Sequence, residues 1–286
     1  MIIGTRDSSL ALAQTDIFIR SMAACSDVKM EVKTIKTSGD MDQTTELKEM
    51  GGYGAFVREL DNAMIAGEID VSVNSMKDVP VFRGTEITIG AVLPRASCED
   101  VILPMRIEEL PIGAVVGSSS VRRGFILKSM RPDLEIRGLR GNINTRLNKL
   151  DNGQYDAIIL AKAGLERLEI KREMHTLSLD DFVPAPGQGA IAVACRSSDK
   201  DVMDILKKVD DEDARAETHA ERAIMSIMGG ICSSPIGINA KREGNKLRIR
   251  AVFFDGTAIR KSDSLIPTDY TLSDFEQIAA VLKGTV

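Results

Sequence analysis

Lys77 and Asp78 stand side by side at the predicted exit of a strand, where an ammonium and a carboxylate could serve in proton transfer or charge stabilisation. Residues 70–74 alternate between apolar and polar types, which predicts a short strand. Pro80 cannot continue a β-ladder, so this strand is expected to stop near Ser75. α/β proteins place ligand chemistry at such exits, although a solvated loop ion pair would explain any single Lys-Asp pair.

Three further strand-to-helix junctions, at residues 5–8, 117–124 and 139–147, each carry arginine together with hydroxyl or amide groups. The junction at 117–124 has three serines followed by Arg122 and Arg123. A helix N-terminus attracts anions, and an arginine fork binds a carboxylate through two hydrogen bonds. A capping serine beside a solvated helix face would explain one such junction, but three in one chain favour an anion-binding site.

The net charge of −5 conceals a strongly basic segment. Residues 117–149 contain eight Lys or Arg and two Asp or Glu, a charge of +6 that leaves −11 for the remainder. Positive charge concentrated in one part of an acidic protein indicates an anionic ligand. Small carboxylates or phosphates fit better than nucleic acid, because the sequence pI is near 5.3.

The composition is that of an ordinary globular protein, with 43% hydrophobic and 28% charged residues in a chain of 286, enough for two or three domains. Aromatic residues make up only 4% and Trp is absent, which argues against a base-stacking surface for single-stranded nucleic acid. No apolar run approaches the roughly 20 residues of a membrane span, and the N-terminus runs directly into a predicted strand. We therefore expect a cytoplasmic protein with neither a membrane nor a nucleic acid as partner.

The four cysteines, at positions 25, 98, 195 and 232, form no C-x-x-C pair, and the chain has only two histidines. Neither a disulfide framework nor a metal site is expected from these spacings. Cys195 lies in an apolar strand and is expected to be a small core residue. Cys232 lies in the glycine- and serine-rich segment 229–237, which makes it the better candidate for reactive chemistry.

The pattern along the chain predicts two α/β domains followed by a small α+β domain. Strands are predicted at residues 1–5, 29–37, 70–74, 87–93, 113–117, 134–137, 156–160, 190–195, 236–242 and 246–254. Helices are predicted at residues 8–20, 55–66, 121–130, 142–150, 214–228 and 273–282. The strand at 190–195 is expected to return to the first domain. The expected domains are 1–95 with 188–210, then the anion-binding domain 96–187, and then 211–286, which carries Cys232.

Eight segments, in matching order and spacing, show that the chain resembles the hydroxymethylbilane synthase (porphobilinogen deaminase) family over essentially its whole length. They are residues 4–12 (GTRDSSLAL), 56–60 (FVREL), 75–80 (SMKDVP), 117–123 (GSSSVRR), 139–147 (LRGNINTRL), 155–161 (YDAIILA), 186–190 (PGQGA) and 232–237 (CSSPIG). Each segment alone is moderately specific, whereas the combination is highly specific.

The resemblance implies a monomeric enzyme that condenses four porphobilinogen molecules head to tail into hydroxymethylbilane, with loss of ammonia, in tetrapyrrole (haem-type) biosynthesis. It implies that the first two domains are shaped like a periplasmic binding protein. A dipyrromethane cofactor, made from the substrate, would be attached to Cys232 through a thioether. The charge pattern agrees with this chemistry, because each pyrrole of the substrate and of the growing polypyrrole carries an acetate and a propionate.

The resemblance also assigns roles to individual residues. Asp78 matches the family's catalytic aspartate, which would contact pyrrole N–H groups and stabilise the cationic azafulvene formed when ammonia leaves. Positions that match cofactor- or substrate-binding residues are Arg6, Ser8, Gln14, Ser75, Lys77, Ser119, Ser120, Arg122, Arg123, Arg140, Arg146, Arg167 and Gln188. No metal site is implied.

Four positions depart from the pattern that is common in the family. Asn74 stands in place of a histidine, and Tyr53 in place of a lysine. Ile231 replaces a glycine next to the cysteine, and Ala194 replaces a glutamate. None of these four positions belongs to the set of the aspartate, the cysteine and the arginines, so the expected activity is unchanged.

Two other functions would use part of the same pattern. A non-enzymatic anion-binding protein would explain the arginines at strand ends, but it gives no role to Cys232 or to the third domain. A nucleic-acid-binding module would rest on the +6 segment alone, against an acidic remainder and few aromatic residues.

Overall fold

The computed structural model describes residues 1–41, 54, 56–82, 84–229 and 235–285, which form three β-sheets and their flanking helices. The strands are β1 (Ile2–Thr5), β2 (Glu31–Thr34), β3 (Val71–Ser75), β4 (Ile87–Val92), β5 (Asp100–Leu103), β6 (Val115–Gly117), β7 (Glu135–Arg137), β8 (Ala157–Ala161), β9 (His175–Thr176), β10 (Ile191–Arg196), β11 (Ile236–Glu243), β12 (Lys246–Phe254) and β13 (Ile259–Pro267). The helices are α1 (Ser9–Ala23), α2 (Ser38–Met41), α3 (Arg58–Ile65), α4 (Val121–Met130), α5 (Ile143–Asp151), α6 (Lys162–Arg167), α7 (Lys200–Leu206), α8 (Glu212–Ile227) and α9 (Leu272–Lys283). Each helix in these ranges is too short or too polar to cross a membrane.

The first sheet has the strand order β2-β1-β3-β10-β4, with β1, β2 and β3 parallel and β10 antiparallel to both of its neighbours. The central strand β3 is buried on both faces. Val71 and Val73 lie in the apolar core, whereas Ser72 and Asn74 satisfy each other through a 2.9 Å hydrogen bond from the amide to the hydroxyl. A central strand can therefore alternate in polarity without presenting a solvated face.

The second sheet repeats this arrangement with the order β7-β6-β8-β5-β9. Strands β6, β7 and β8 are parallel, and β5 runs antiparallel beside β8. The antiparallel strand of each sheet, β10 or β5, follows directly after the chain has crossed from the other sheet. The carboxyl ends of three parallel strands therefore gather at one edge of each sheet, which is where ligand-binding loops are placed in α/β folds.

The two crossings pack closely against each other. Gly189 has a φ of +88°, and a Cβ atom there would lie 2.6 Å from the carbonyl oxygen of Ala96 and 2.8 Å from that of Ser97. Only glycine combines this backbone conformation with so close an approach. The two segments form a double connection between the domains, which we call the hinge (residues 93–99 and 184–190).

The third sheet is an antiparallel meander, β11-β12-β13, covered on one face by α8 and α9. Its core includes Ile224 from α8, Ile238 and Ile249 from the sheet, and Phe275 and Ile278 from α9. This sheet and its two helices form the small α+β domain that the sequence predicts.

The predicted architecture of two α/β domains and one α+β domain is confirmed, including the return of residues 190–195 to the first sheet. The strand expected at 29–37 is limited to Glu31–Thr34, an exposed edge strand. The helix expected at 55–66 begins at Arg58, and Ala55 lies outside the described residues. Sequence patterns missed β5, β9, β13, α6 and α7, which are short or, in β13, largely exposed. The exact domain boundaries stay a prediction.

Candidate active site

Adjacent parallel strands bring predicted site residues of the first domain to one sheet edge. β1 ends immediately before Arg6, and its neighbour β3 ends at Ser75, two positions before Lys77. Residues 76–78 form a single turn of 3₁₀ helix at this strand exit. Lys77 and Asp78 are both partly buried, so their charges are only partly screened by water.

Helix N-termini in the second domain position its basic residues. Ser120 is the N-cap of α4 and accepts a 3.4 Å hydrogen bond from the backbone N–H of Arg123. Asn142 is the N-cap of α5 and accepts a 2.9 Å bond from the N–H of Thr145. The two capped helices start just beyond the parallel strands β6 and β7, so both N-termini lie at the same edge of the second sheet.

Ser119 links the junction before α4 to the junction before α5 through hydrogen bonds. Its Oγ donates to the carbonyl of Leu139 at 3.0 Å and accepts from the N–H of the same residue at 2.9 Å. Arg140 is the next residue in the chain, so Ser119 fixes the backbone that carries this arginine. The serine thus has a role in local structure, in addition to the ligand contact that the sequence predicts for it.

A buried carboxylate, Asp100, binds both arginines at the start of α4. Its Oδ2 lies 2.7 Å from Nη2 of Arg122, and its Oδ1 lies 2.7 Å from Nη2 of Arg123. Arg122 also donates to the carbonyl of Val183 at 2.8 Å, and Arg123 to that of Ile159 at 3.1 Å. Burial alone raises the pKa of Asp100, but the two guanidinium groups outweigh it and hold that pKa well below its usual range.

The arginine pair is therefore much less exposed than a solvated helix face would be. Arg122 and Arg123 are 3% and 7% exposed. The Nε atom of each is buried and finds no acceptor in the described part of the chain. A buried donor without a partner is unfavourable, and because both Nε atoms are closed to solvent, no ligand reaches them without a local rearrangement.

Lys77 faces the arginine pair from the first domain. Its Nζ lies 3.4 Å from Oε1 of Gln188, on the hinge. Burial lowers the pKa of Lys77 from 10.5 to about 8, with Asp78 and Asp100 opposing the shift and Arg122 and Arg123 adding to it. The two domains thus meet at a group of closely interacting charges.

Arg146 extends this charged group on the side of α5. Burial lowers the pKa of Arg146 to about 10; the neighbouring positive charges of Arg123 and Arg140 add to this shift and Asp78 opposes it. Its Nε donates to the carbonyl of Gly141 at 2.7 Å, and its two Nη groups make no hydrogen bond within the described ranges. The structure therefore brings the second-domain arginines and the first-domain Lys77-Asp78 pair into one site.

The remaining predicted residues lie around this centre. Gln14, in α1, is buried and donates from Nε2 to the Ser75 hydroxyl at 2.8 Å. Ser8 is the N-cap of α1, and the Arg6 guanidinium lies over the ring of Phe56, 4.3 Å from its centroid. Arg167, at the end of α6, donates from Nη2 to the carbonyl of Gly189 at 2.6 Å, and burial lowers its pKa to about 10.

Asp100 is the functional-site residue that sequence reasoning missed. It precedes three apolar residues and follows Glu99, so it resembles an exposed acid at the start of a strand. The available signal was an acidic residue at the start of a short apolar run, in a domain rich in arginine. A single carboxylate gives no periodicity, however, and its partners are 22 and 23 residues away.

The predicted attachment residue, Cys232, and its neighbour Ile231 lie outside the described residues, as does Tyr53. Among the described cysteines, Cys195 is buried in the first domain, as expected, and Cys25 is exposed. Cys98 is partly exposed, and burial raises its pKa to about 11, which disfavours the reactive thiolate. Groups of three or more metal-binding side chains are absent from the ranges described.

Two α/β domains whose strand ends gather a carboxylate, a lysine and several buried or partly buried arginines form a site suited to a small molecule with several negative charges. Two protein-family models match this chain, and both describe the same family. Residues 1–204 match the model of the porphobilinogen deaminase, dipyromethane cofactor binding domain, and residues 216–268 match the model of the porphobilinogen deaminase C-terminal domain. The chain belongs to the porphobilinogen deaminase family.

Curated relatives agree over most of the chain. The porphobilinogen deaminase of Lysinibacillus sphaericus is 43% identical over 255 residues, which is 87% of this chain and 82% of that protein. The probable porphobilinogen deaminase of Methanosarcina acetivorans is 44% identical over 275 residues, covering 93% of this chain and 86% of its own length.

A solved substrate-binding domain of a putative amino acid ABC transporter from Streptococcus pneumoniae aligns with 80% of this chain and 94% of its own length, at 14% identity and a TM-score of 0.44.

The predicted family, activity and cofactor are confirmed by these matches. The chain is an enzyme of tetrapyrrole biosynthesis that polymerises porphobilinogen into hydroxymethylbilane, and its first 204 residues, which comprise both α/β domains, match the family's dipyrromethane cofactor-binding region.

Proposed function

We propose that Asp78 is the catalytic carboxylate of porphobilinogen polymerisation and that Arg123, Arg140 and Arg146 bind carboxylates of the growing chain. The observation that carries this proposal is the meeting of Asp78 with Lys77 and Arg146 in one group of interacting charges between the first two domains. This arrangement offers one anion to a reacting centre and several cations to the substrate's acetate and propionate groups.

Asp78 supplies negative charge where the reaction develops positive charge. Loss of ammonia from porphobilinogen leaves a cation, and a carboxylate held beside that cation lowers its energy. Because Asp78 is partly buried on a short turn, water screens its charge less than it would screen an exposed loop residue. The same carboxylate can accept hydrogen bonds from pyrrole N–H groups and hold the ring in register.

The donors of the second domain suit a dipyrromethane that carries several carboxylates. The Nη groups of Arg146 make no bond within the described residues, and the guanidiniums of Arg122 and Arg123 add positive charge close by. We assign these groups to the cofactor's carboxylates. When bound, the cofactor supplies a fixed pyrrole acceptor from which chain growth starts.

The other residues singled out by the sequence complete the proposed binding set. They are Arg6, Ser8, Gln14, Ser75, Lys77, Ser119, Ser120, Arg167 and Gln188. Several of them also have structural partners, which hold the binding surface in shape before any ligand arrives.

Cys232 is the proposed point of cofactor attachment through a thioether. Under denaturing conditions the intact mass of the purified protein should exceed the sequence mass by two linked pyrrole units. A Cys232→Ser protein should lack this increment and should not colour with Ehrlich's reagent, while Cys25→Ser and Cys98→Ser proteins should keep both properties. Peptide mapping that places the adduct on another cysteine would overturn the assignment.

Monomeric state, cytoplasmic location and the absence of a nucleic-acid partner are further parts of the proposal. The acidic pI near 5.3 and the small aromatic content support the absence of a nucleic-acid partner, and the family resemblance supports the monomeric state. Sedimentation equilibrium of the loaded protein, with and without single-stranded DNA, tests the first and third. A dimer, or co-sedimentation with DNA at physiological salt, would contradict them.

A further inference from the structure

Gln188 is buried at the hinge and connects the two domains through its side-chain amide. It is 1% exposed. Its Nε2 donates to Oδ1 of Asp100 at 2.8 Å and to the carbonyl oxygen of Cys98 at 2.8 Å. Its Oε1 faces the ammonium of Lys77 at 3.4 Å. One amide thus joins the carboxylate that holds the arginine pair in the second domain to the lysine of the first.

The orientation of this amide is determined by its surroundings. Turned by 180°, the Gln188 side chain would set its oxygen against the Asp100 carboxylate and the Cys98 carbonyl, and its NH₂ group against the Lys77 ammonium. Each of these contacts would be repulsive, since like partial charges would face one another. Both donors of the amide are therefore used internally, and its carbonyl is directed at Lys77.

We propose that Asp100 and Gln188 are positioning residues that set the place and charge state of Lys77 beside Asp78. Asp100 orients the Gln188 amide, and the amide carbonyl then accepts a hydrogen bond from the Lys77 ammonium. The proposal depends on the proposed function only for the catalytic importance of the Lys77-Asp78 pair. The link itself is a property of the protein and can be tested without turnover.

Because of the charges around Lys77, losing this link would change the pKa of the lysine. Among the described residues, the charged groups that act on it are Asp78 in the same turn, Asp100 on β5, and Arg122 and Arg123 on α4. Two carboxylates oppose two guanidiniums in a region where burial already disfavours the ammonium. Removing either the Asp100 charge or the Gln188 acceptor therefore destabilises the protonated form of Lys77, so both changes lower its pKa.

The same two residues relate the cationic site to the hinge. Asp100 begins the strand that follows the first crossing, and Gln188 lies on the second crossing. The backbone carbonyl of Gln188 also accepts a 3.1 Å hydrogen bond from Nε of Arg95, on the first crossing. A change in hinge geometry would therefore alter the link to Lys77 before it altered the arginine pair, which remains bound to Asp100 within one domain.

The test compares Gln188→Met and Asp100→Asn with the parent protein and two controls. Gln188→Met has nearly the same volume but lacks donor and acceptor, and it leaves Asp100 paired with both arginines. The controls are Gln154→Met and Asp151→Asn, which change exposed residues of the second domain. Thermal unfolding establishes which variants fold, and Gln188→Met carries the test if Asp100→Asn does not.

The readout is the pH dependence of acetylation of Lys77 by acetic anhydride, followed by peptide mapping, because only the neutral amine reacts. The labelling midpoint should move to lower pH by about one unit in both variants and should not move in the controls. Turnover by the cofactor-loaded Gln188→Met protein should fall roughly 10-fold, the scale of one hydrogen bond to a charged group. An unchanged midpoint in folded Gln188→Met would overturn the proposal, whatever the turnover. A shifted midpoint with normal turnover would uphold the link and count against the role of Lys77 in catalysis.

Discussion

The guanidinium of Arg95 lies 2.8 Å from the carboxylate of Glu221, and this ion pair joins the hinge to the third domain. The Arg95 side chain is 6% exposed and that of Glu221 is fully buried. The Glu221 carboxylate also accepts hydrogen bonds from the backbone N–H groups of Gly187 (2.6 Å) and Ala240 (2.7 Å). One carboxylate of α8 thus holds both crossings of the hinge and the first strand of the third domain.

Breaking this pair should destabilise the protein strongly. Arg95→Met would leave Glu221 and its neighbour Glu217 buried without their guanidinium, at a cost of about 3–5 kcal/mol. The unfolding midpoint in urea measures the effect. Arg172→Met, which breaks an exposed pair with Asp151, is the matched control and should cost less than about 1 kcal/mol. Equal midpoints for the two variants would show that the hinge pair contributes no more than a surface contact.

We expect Lys77 to promote turnover while lowering the stability of the folded protein. Its pKa falls from 10.5 to about 8 on folding, so the folded state binds this proton more weakly. The cost is fully present below about pH 8, shrinks as pH rises through that value, and disappears above the unfolded pKa. Lys77→Met should therefore raise the free energy of unfolding near pH 7 by up to about 3 kcal/mol while lowering turnover.

The pH dependence of stability distinguishes two causes: removal of the buried ammonium, and the extra hydrophobic burial that Met itself provides. Urea titrations of the parent and Lys77→Met proteins near pH 7 and near pH 10 should give a difference that is largest at the lower pH. A difference that is the same at both pH values would mean that the buried ammonium is not its source.

Arg146 provides a test of the proposed binding set. Arg146→Leu removes a guanidinium whose Nη groups make no bond within the described chain, so cofactor loading or elongation should suffer while stability changes little. Loss of a charge-assisted hydrogen bond in a partly desolvated site should lower the rate roughly 10- to 100-fold.

The control for Arg146 comes from the same basic segment. Arg137→Leu removes an arginine that is 53% exposed and paired with Glu135 on the surface. This variant should load cofactor and turn over like the parent. If Arg146→Leu behaved in the same way as Arg137→Leu, the basic segment would be a solvated surface and not a binding site.

Local sequence rules predicted the parts of the site that depend on neighbours in the chain. Strand β3 ends at Ser75, as Pro80 leads one to expect, and a serine of segment 117–120, Ser120, caps α4. Parallel strand order then accounts for the meeting of Arg6 with Lys77 at one edge. These features need only hydrophobic alternation, capping chemistry and the rule that parallel strand ends share an edge.

What the sequence did not reveal depends on contacts between distant residues. The sequence predicts that Arg122 and Arg123 bind an anionic ligand, but it does not reveal that Asp100 and two backbone carbonyls bind them internally. Gln188 lies 88 residues from Asp100 and 111 from Lys77. Such pairings have no periodic signature, because they arise only once both hinge crossings are in place.

Catalysis should depend on the charge of Asp78. Asp78→Asn keeps the size and hydrogen-bonding capacity of the side chain but removes the negative charge that offsets the cation left by ammonia. Loss of one preorganised electrostatic group costs roughly 10²–10³-fold in rate in other enzymes, so turnover should fall at least that far. The variant should remain folded, since Asp78 lies on a partly buried turn at the end of β3 and not in a core cluster.

The exposed Asp27→Asn substitution is the control for charge removal and should leave turnover unchanged. Rates of hydroxymethylbilane formation must be compared at equal cofactor occupancy, measured by intact mass, because a loading defect would otherwise mimic a catalytic one. Parent-like turnover by a fully loaded Asp78→Asn protein would falsify the catalytic assignment and leave Lys77 as the preferred group for proton transfer at this strand exit.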